Sequence, residues 1–334
     1  MRAPSRGYPV LVGAGAISEL PGLLEPFAAV AVVRDAAVSA PAIEAPELVL
    51  EGGEGAKTWD RLREVVEFLE SCGLRRDGCV VAVGGGSIGD LAGFAAAIWQ
   101  RGIAVIQVPT TLLAMVDAAI GGKTAIDTAH GKNAVGAFWQ PSGVIADLDH
   151  LGTLPEAQRR SGLAEVVKYA VAMDADLAGI LERDAADTEP VIARCVELKA
   201  AVVAEDERET SGRRAILNYG HTAGHALEAA SGYSVLHGQA VAFGMRVAAR
   251  LAVALKLCGP EVVAAQDHLL QRCGLPGPLP AVNANAILEA LPRDKKSSGG
   301  RVRWVLPRAI GRAEPGHDVP DGAVREVVEE LAPS

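Results

Sequence analysis

The sequence predicts a protein of two domains, an α/β domain over residues 1–152 and a mostly helical domain over residues 153–334. At 334 residues the chain is long for a single domain. Its first half alternates short runs of β-forming residues with helical runs, a pattern typical of a parallel sheet with crossover helices. From Glu156 onward helical periodicity dominates, with residues 302–306 as the one clear exception, which predicts a short strand.

The elements of the first half follow one another in a regular order. The β-forming runs predict strands over residues 9–12, 29–33, 47–50, 79–83, 103–108 and 144–147. The runs between them predict helices over residues 17–24, 58–71 and 91–99. The pattern changes at the Gly- and Pro-containing residues 151–155, so we place the domain boundary there.

Composition limits the partners of this chain. Hydrophobic residues make up 49% and aromatic residues 4%, which predicts a core of Ala, Val, Leu and Ile. The net charge is -9, and no block of Lys and Arg is dense enough to follow a phosphate backbone, which argues against nucleic acid. The apolar stretch 240–258 carries Arg246, Arg250 and Lys256 at roughly helical spacing. It therefore predicts an amphipathic helix and not a membrane span.

The cysteines indicate a cytoplasmic protein. The five of them are odd in number and scattered, with no C-x-x-C pair, as expected of reduced core residues. The N-terminal sequence MRAPSRGYPVLVG lacks the apolar core of a signal peptide.

Two Gly-rich segments indicate anion binding. Residues 84–90, GGGSIGD, follow a predicted strand and open a helix, where backbone amides and the helix N-terminus favour a diphosphate. A plain tight turn is the alternative, because the spacing is not that of the dinucleotide fingerprint. Residues 121–124 and 131–133, GGKT and GKN, place cationic and amide donors on Gly-rich turns that suit a small anion. The alternative for either is a solvated loop lysine.

Three of the seven histidines lie close together in the sequence. His221 and His225 are four residues apart at the start of a predicted helix over 222–230, so they share one helix face. His237 follows a turn signal at residues 231–234 and can converge on the same point. Such a cluster can bind a metal, move protons or divide these tasks. A pair of hydrogen-bonded histidines beside a helix end is the alternative.

Charged residues surround this cluster in the sequence. Glu165 and Lys168 are three apart on an apolar helix face, which predicts burial toward a cleft, although most such pairs are surface salt bridges. Lys199, the pair 213–214 and residues 293–296 add cations, each of which taken singly is expected to be a solvated surface charge.

Several motifs together resemble the 3-dehydroquinate synthase family of the sugar-phosphate cyclase superfamily. They are GGGSIGDLAGFAAA, VPTTLLAMVDAAIGGKTAID, GKNAVGAF, SGLAEVVKY, ILNYGHTAGHALEA, LHGQAVAFGM and RDKK, in that order. The resemblance covers nearly the whole chain. It implies a Rossmann-like N-terminal domain that binds NAD, a mostly helical C-terminal domain that binds metal and substrate, a catalytic cleft between them and a homodimer.

The resemblance also implies site residues, position by position. Glu165, His221 and His237 match the ligands of zinc, which cobalt can replace, and three protein ligands leave one position open for substrate. His225 matches a histidine near the substrate phosphate. The other implied phosphate contacts are Lys123, Asn133, Asn218, Lys296 and, from the other subunit, Arg101. Lys199 and Arg214 match a pair that holds the substrate carboxylate, and Asp117 and Lys168 match contacts to substrate hydroxyls. The implied NAD contacts are Asp35, Glu54, Lys57, Gly85, Gly86, Asp90, Thr110, Thr111 and Lys132.

The implied activity converts 3-deoxy-D-arabino-heptulosonate 7-phosphate into 3-dehydroquinate and phosphate, a step of the shikimate pathway toward aromatic amino acids. NAD oxidises a ring hydroxyl transiently, phosphate is eliminated, the hydride returns and an intramolecular aldol step closes the ring. The chain departs from the family pattern at Ala37, Asp127 and Gln239, and its turn 209–214 is one residue longer than usual. None of these departures removes an implied metal ligand.

Three other functions compete with this one. A polyol dehydrogenase of the glycerol dehydrogenase kind shares the domain plan and a His-based metal site, but needs no clamp for phosphate and carboxylate. Another cyclase would make an amino-dehydroquinate or act on sedoheptulose 7-phosphate; Asn218, where some related cyclases carry an acidic residue, favours the dehydroquinate type. A non-catalytic binding module is the most distant alternative, because all implied metal ligands are present.

Overall fold

The structure, a computed structural model, describes residues 2–3, 7–129, 131–275, 282–291 and 302–332. The chain divides into two compact units. Unit 1 comprises Met1–Pro155 together with Ile192–Ala204, and unit 2 comprises Glu156–Val191 together with Glu205–Ser334.

Unit 1 is built on a seven-stranded sheet with the strand order β1-β2-β9-β6-β5-β3-β4. Every neighbouring pair is parallel except the short antiparallel pair at the β1 edge. The strands of this sheet are β1 (Arg2–Ala3), β2 (Val10–Gly13), β3 (Val30–Asp35), β4 (Glu47–Leu50), β5 (Cys79–Gly84), β6 (Ala104–Pro109) and β9 (Gly143–Asp147). All six predicted strands are present, with ends shifted by at most two residues. The predicted α/β fold class is therefore confirmed.

Helices cover both faces of this sheet, because alternate strand residues point to opposite sides. On β5, Val80 and Ala82 join a cluster with α2 and α3, whereas Val81 and Val83 join a second cluster on the other face. The Thr58 side chain accepts a hydrogen bond from the Arg61 N–H and so begins α2. The helices are α1 (Leu20–Leu24), α2 (Trp59–Ser71) and α3 (Gly86–Ile98), with 3-10 turns at Ala16–Glu19, Glu54–Ala56, Trp99–Arg101 and Leu148–Thr153 and a π-helical turn at Ala114–Ala118.

Helix α3 begins five residues before the predicted range of 91–99. The prediction began late because glycine has a low intrinsic helix propensity, which packing overrides here. A Cβ on Gly93 would lie 2.5 Å from Thr124 Cγ2, and one on Gly89 would lie 2.7 Å from Gln107 Oε1. At Gly93 only glycine lets the helix approach Thr124 so closely, whereas the Gln107 amide near Gly89 is the end of a flexible side chain. Residues 86–90 of the predicted turn 84–90 therefore form about the first turn and a half of α3.

The prediction of two Gly-rich turns at 121–124 and 131–133 needs correction, because most of these residues belong to the strands of a β-hairpin. Strands β7 (Lys123–Thr128) and β8 (Gly131–Phe138) pair antiparallel. A Cβ on Gly136 would lie 2.1 Å from the Thr124 carbonyl oxygen, so this glycine allows the backbones to approach. Sequence periodicity did not reveal β8, because the strand consists largely of small residues and none of its residues is fully buried.

Unit 2 is mostly helical, as predicted. Helix α6 (Glu189–Glu205) contributes its residues 192–204 to unit 1. The other helices are α4 (Glu156–Met173), α5 (Ala175–Leu181), α7 (His221–Ala230), α8 (His237–Ala254), α9 (Pro260–Arg272), α10 (Ala284–Ala290) and α11 (Asp321–Leu331), with a 3-10 turn at Arg213–Asn218. None of the helices in the described ranges is long and apolar enough to cross a membrane.

In unit 2 one prediction needs correction, and a second is confirmed but incomplete. The stretch 240–258 is not a simple amphipathic helix: α8 is buried on nearly all sides, and Arg246, at 8% exposure, donates to the Leu275 carbonyl oxygen. The predicted strand 302–306 corresponds to β10 (Trp304–Ala309), which pairs with a second strand, β11 (Arg312–His317). Periodicity missed β11 because its residues are half-buried or exposed and several of them are charged.

Candidate metal centre and nucleotide site

The C-terminal ends of β3 and β5 are the candidate nucleotide site of unit 1. In the strand order, β4 lies beside β3 and β6 lies beside β5, so successive connections run to opposite sides of the β3–β5 pair. The gap between β3 and β5 is therefore the topological switch point of this sheet, where open α/β sheets bind ligands. Asp35 ends β3, and its Cβ would lie 3.2 Å from a Cβ placed on Gly84 at the end of β5. Gly85 caps α3, so the backbone amides at the N-terminus of this helix directly follow the end of β5.

A buried ion pair lies among the residues implied for NAD. Lys57, which is 3% exposed, places its Nζ 2.7 Å from Asp90 Oδ2. Burial raises the pKa of Asp90 to about 6, although Lys57 acts in the opposite direction. Burial acts to lower the pKa of Lys57, but Asp90 and Glu54 outweigh it and raise that pKa. The positive charge on Lys57 is therefore retained in a desolvated place.

Asn133, implied as a phosphate contact, lies with these nucleotide-side residues. Its Oδ1 accepts a hydrogen bond from Lys57 Nζ, and its backbone N–H donates to Asp127 Oδ1 at 2.7 Å. Its φ of 52° lies in the left-handed region, which is costly for a residue with a side chain and is commonly found at functional sites. Lys132 Nζ lies 3.8 Å from Glu54 Oε2. The β7–β8 hairpin thus brings Asp127, Lys132 and Asn133 close to Lys57 and Glu54.

Lys199 contacts Asp117 within unit 1. Its Nζ lies 2.8 Å from Asp117 Oδ1 and also donates to the Asp117 backbone oxygen in the π-helical turn. The Lys199 side chain is buried, so the expectation of a solvated charge is wrong.

Lys123 is exposed at the start of β7, and Arg101 is exposed with a φ of 65°. Thr110 is buried and its N–H donates to the Gly84 oxygen, while the Thr111 hydroxyl accepts from the Ala114 N–H.

Three side chains of unit 2 converge to form a candidate metal centre. Glu165 on α4, His221 at the start of α7 and His237 at the start of α8 each offer one ligand atom, and these atoms all lie within 4.8 Å of one another. His221 Nε2 lies 3.5 Å and His237 Nε2 3.4 Å from Glu165 Oε1. Two imidazole nitrogens and one carboxylate oxygen are a donor set that suits zinc.

The other nitrogen of each imidazole faces an outer partner. His221 Nδ1 lies 3.2 Å from the Tyr219 carbonyl oxygen, and His237 Nδ1 lies 3.4 Å from Glu228 Oε1. Metal-binding histidines usually have such partners, which orient the ring. In both residues Nε2 is therefore the nitrogen directed at Glu165.

The electrostatics of the centre favour a positive charge beside His237. Burial lowers the pKa of His221 to about 3, so this ring is neutral, as a ligand must be. Burial acts to lower the pKa of His237 too, but Glu165 and Glu228 outweigh it and raise that pKa to about 10. Two buried carboxylates thus favour a positive charge at the His237 ring, and a divalent ion bound there would supply that charge in place of the ring proton.

Lys168 and His225 border the centre without belonging to the ligand group. Lys168 Nζ contacts Glu165 Oε2, and both side chains are almost fully buried, so the predicted burial of this pair is confirmed. The His225 ring lies 5.2 Å from that of His221 in an edge-on arrangement. One carboxylate oxygen of Glu165 therefore faces the histidines, and the other faces an ammonium.

Helix packing brings His221 and His237 together. A Cβ on Gly244 of α8 would lie 1.7 Å from the Gly220 carbonyl oxygen, which directly precedes α7. The backbones of α7 and α8 can approach this closely only because residue 244 has no side chain. The metal centre depends on this contact because one ligand lies at the start of each helix.

Arg214 is held by the loop that precedes α7. Asp206 accepts hydrogen bonds from the N–H groups of Thr210, Ser211 and Arg214 at 2.8, 3.1 and 3.1 Å. Burial acts to raise the pKa of Asp206, but these donors outweigh it and leave the pKa at about 2. Arg214 is 2% exposed and donates to the Glu207 oxygen at 2.7 Å, so it is not the solvated charge that sequence suggested.

Asn218 and Lys296 are the remaining residues implied for the substrate phosphate. Asn218 is exposed at the end of the 3-10 turn Arg213–Asn218. Lys296, with the rest of the RDKK motif, lies outside the described residues.

Comparison with known families decides the affiliation. The family model described as 3-dehydroquinate synthase N-terminal matches residues 47–161, and the one described as 3-dehydroquinate synthase C-terminal matches residues 162–297. The chain belongs to the 3-dehydroquinate synthase family. This affiliation confirms the resemblance found in the motifs, and the chain is an enzyme of this family.

Individual relatives agree with this affiliation. A 3-dehydroquinate synthase from Rhodopirellula baltica is 43% identical over 349 residues, covering 96% of this chain and 93% of the relative. A solved 2-deoxy-scyllo-inosose synthase in complex with carbaglucose-6-phosphate, NAD+ and Co2+ is 28% identical, with a TM-score of 0.88 over 99% of both chains. ValA, the 2-epi-5-epi-valiolone synthase of Streptomyces hygroscopicus, solved with NAD+ and Zn2+, is 27% identical, with a TM-score of 0.87 over 98% of this chain and 97% of ValA.

Sequence reasoning missed two carboxylates that the structure brings into the site. Glu228 is seven residues after His221 and so lies on the same helix face, a periodicity that could have revealed it. Glu209 places its Oε1 3.8 Å from Arg214 Nε and has a φ of 57°. No spacing rule links a loop residue such as Glu209 to its partner, so only the folded loop identifies it.

Proposed function

We propose that this member of the 3-dehydroquinate synthase family converts 3-deoxy-D-arabino-heptulosonate 7-phosphate into 3-dehydroquinate and inorganic phosphate. Family membership over both halves of the chain supports this activity. The observation that carries the proposal is the convergence of Glu165, His221 and His237, with two imidazoles oriented by outer partners. Such a centre, with a metal ion bound, suits a reaction in which a substrate hydroxyl or carbonyl oxygen must be polarised.

We propose that Glu165, His221 and His237 hold a divalent ion, with zinc as the first choice and cobalt as a substitute. The nitrogen and oxygen donors fit zinc, and related solved cyclases contain Co2+ or Zn2+. Three protein ligands leave room for a substrate oxygen. When bound, the ion acts as a Lewis acid on that oxygen and NAD serves as transient hydride acceptor and donor.

The residues of unit 1 are suited to holding NAD. The N-terminus of α3 offers backbone N–H groups to a diphosphate, and Asp35 at the end of β3 can accept hydrogen bonds from a ribose. The buried pair of Lys57 and Asp90 adds a fixed charge beside the candidate nucleotide site. The proposed contacts are Asp35, Glu54, Lys57, Gly85, Gly86, Asp90, Thr110, Thr111 and Lys132.

The remaining residues are proposed to bind and orient the substrate. Arg214 and Lys199 would hold its carboxylate, and Asp117 and Lys168 would accept from or donate to its hydroxyls. Cationic and polar groups around a leaving phosphate orient it and stabilise the developing charge. The proposed phosphate contacts are His225, Lys123, Asn133, Asn218, Lys296 and, from a second subunit, Arg101.

We propose a cytoplasmic homodimer whose domains divide as 1–152 and 153–334. A second subunit is required by the role given to Arg101. Light scattering should give twice the monomer mass, and a monomer with full activity would remove Arg101 from the site.

Sequence identity favours the proposed activity over that of the two other cyclases compared above. The chain is 43% identical to a 3-dehydroquinate synthase over nearly its whole length, compared with 28% to a 2-deoxy-scyllo-inosose synthase. A polyol dehydrogenase is the more distant alternative, because a glycerol dehydrogenase of 19% identity supports a likeness of fold alone.

The proposal is tested by measuring phosphate release and NADH absorbance with the heptulosonate phosphate, catalytic NAD and Zn2+. Many phosphates should be released per NAD, because the net reaction has no redox change. Stoichiometric NADH would instead indicate a dehydrogenase. A parallel assay uses sedoheptulose 7-phosphate, which lacks the carboxylate. Faster turnover of that sugar would contradict both the proposed substrate and the roles of Arg214 and Lys199.

A further inference from the structure

The ring of His237 lies between two carboxylates. Its Nε2 is 3.4 Å from Glu165 Oε1, and its Nδ1 is 3.4 Å from Glu228 Oε1. Glu228 is 5% exposed and lies on α7, whereas His237 is the first residue of α8. A buried carboxylate at this place is costly unless it interacts with a polar or charged partner.

The backbone at His237 is held by a separate contact. The N–H of Gly238 donates to Ser161 Oγ at 2.8 Å, and a Cβ on Gly238 would lie 2.3 Å from the Ser161 Cα. Ser161 is one helical turn before Glu165 on α4, so the same face of α4 holds the backbone at 238 and faces the ring at 237. This contact sets the position of the residue but leaves the rotation of its ring undetermined.

The two histidines have outer partners of different charge. His221 Nδ1 faces a neutral carbonyl oxygen, that of Tyr219. His237 Nδ1 faces a carboxylate, which makes the ring a stronger electron donor through its other nitrogen. The difference predicts that the outer partner of His237 contributes more to metal affinity.

We propose that Glu228 is a positioning residue for the metal centre. Its carboxylate accepts a hydrogen bond from His237 Nδ1–H, fixes the tautomer and directs the Nε2 lone pair toward the point that Glu165 and His221 share. This role rests on the proposed function, because it requires that these three residues bind a divalent ion.

The test is the divalent metal affinity of Glu228→Gln, measured with the full-length protein by chelator competition with Zn2+ and by the absorption spectrum of bound Co2+. Glutamine keeps the shape and an acceptor oxygen but removes the charge. We expect a metal dissociation constant raised about 10- to 100-fold, the usual effect of losing an outer carboxylate. Glu228→Ala should weaken binding further. NAD affinity should not change in either variant.

Asp267→Asn is the matched control, because Asp267 is also a carboxylate that contacts α8. Its oxygens lie 3.3 Å from Arg246 Nε and 3.2 Å from Arg250 Nη2. This variant should lower the melting temperature without changing metal affinity. An equal loss of metal affinity in Asp267→Asn would mean that general destabilisation explains the effect, and the proposal would be overturned.

Two readouts separate a positioning role from a merely structural one. Metal-stripped Glu228→Gln and Asp267→Asn should both melt below the wild type, because each variant loses a carboxylate that pairs with a cationic side chain. Only in Glu228→Gln should the Co2+ spectrum and the nitrogen chemical shifts of His237 change. Unchanged metal affinity in a folded Glu228→Gln overturns the role of Glu228 alone. If His221→Ala retains the affinity of the wild type, the proposed ligand set itself is wrong, and the role of Glu228 is overturned with it.

Discussion

His221 and His225 are the same residue type one helical turn apart, yet they have different neighbours. His221 faces Glu165 and His237, whereas His225 contacts the edge of the His221 ring and lies outside the ligand group. The position of a side chain along α7, and not its chemistry, therefore decides which histidine is placed to bind metal.

We predict that His221→Ala loses metal binding and that His225→Ala keeps it. Removing one of three protein ligands should cost more than the roughly 10- to 100-fold that the loss of an outer partner costs. Metal content after dialysis against a defined Zn2+ concentration measures both. Equal losses in the two variants would contradict the ligand assignment. In an activity assay His225→Ala should still be impaired, because it is proposed to contact the phosphate.

Lys199 and Arg214 illustrate how burial changes an interpretation made from sequence. Each was expected to be a solvated charge when taken singly, and each is almost fully buried. Lys199 contacts Asp117, and Arg214 lies near Glu209. A buried guanidinium or ammonium needs partners of opposite charge, so these carboxylates belong to the description of both cations. Their shared role toward a substrate carboxylate stays a prediction.

At the scale of elements, the close contact of α7 and α8 determines the metal centre. His221 begins one helix and His237 begins the other. Gly244 allows the close approach, since the space for its side chain is occupied by backbone at Gly220. Backbone cannot move aside as a flexible side chain can.

Gly244→Ala should therefore both destabilise the protein and weaken metal binding. Adding a methyl group to a well-packed interior typically costs about 1–3 kcal/mol, and separating the helices displaces one ligand from another. Denaturant unfolding and chelator competition measure the two effects. Gly179→Ala is the control, because Gly179 lies within α5 and its Cβ would meet only Arg183, at 3.5 Å. We expect that variant to gain roughly 0.5–1 kcal/mol. Unchanged metal affinity in Gly244→Ala would contradict the proposed dependence.

At the scale of the whole molecule, the residues proposed for NAD and those proposed for metal belong to different units. The predicted nucleotide contacts all lie in unit 1, and the three predicted metal ligands all lie in unit 2. Buried apolar side chains are present in both units, for example Val81 in unit 1 and Val247 in unit 2. We therefore expect each ligand to stabilise mainly the backbone of its own unit.

Hydrogen exchange should reveal this division. NAD should slow exchange most in the Gly84–Asp90 segment, and Zn2+ should slow it most around residues 161–168, 221–228 and 237–244. A ligand at 100 times its dissociation constant stabilises the native state by about 2.7 kcal/mol, which is readily measured. Binding of either ligand without protection of its own segment would contradict the assignment. His225→Ala with Zn2+ serves as a control that should retain the protection.

The sequence by itself determined the α/β fold class of the first half, the helical character of the second and the family, and the family resemblance then named the three candidate metal ligands. These follow from local patterns: alternation and helical periodicity report burial within one element, and the motifs around His221 and Glu165 are distinctive as short strings. The Gly-rich segment after β5 was found for the same reason.

Only the tertiary structure decided which residues from distant parts of the chain are neighbours. It showed the β7–β8 hairpin in place of two loops, because pairing across strands gives no local periodicity when small, half-exposed residues form it. It joined Lys57 to Asp90 and Lys199 to Asp117, and it placed Glu228 beside His237. The physical reason is that contact between charged groups depends on how helices and strands pack, which spacing along the chain does not encode.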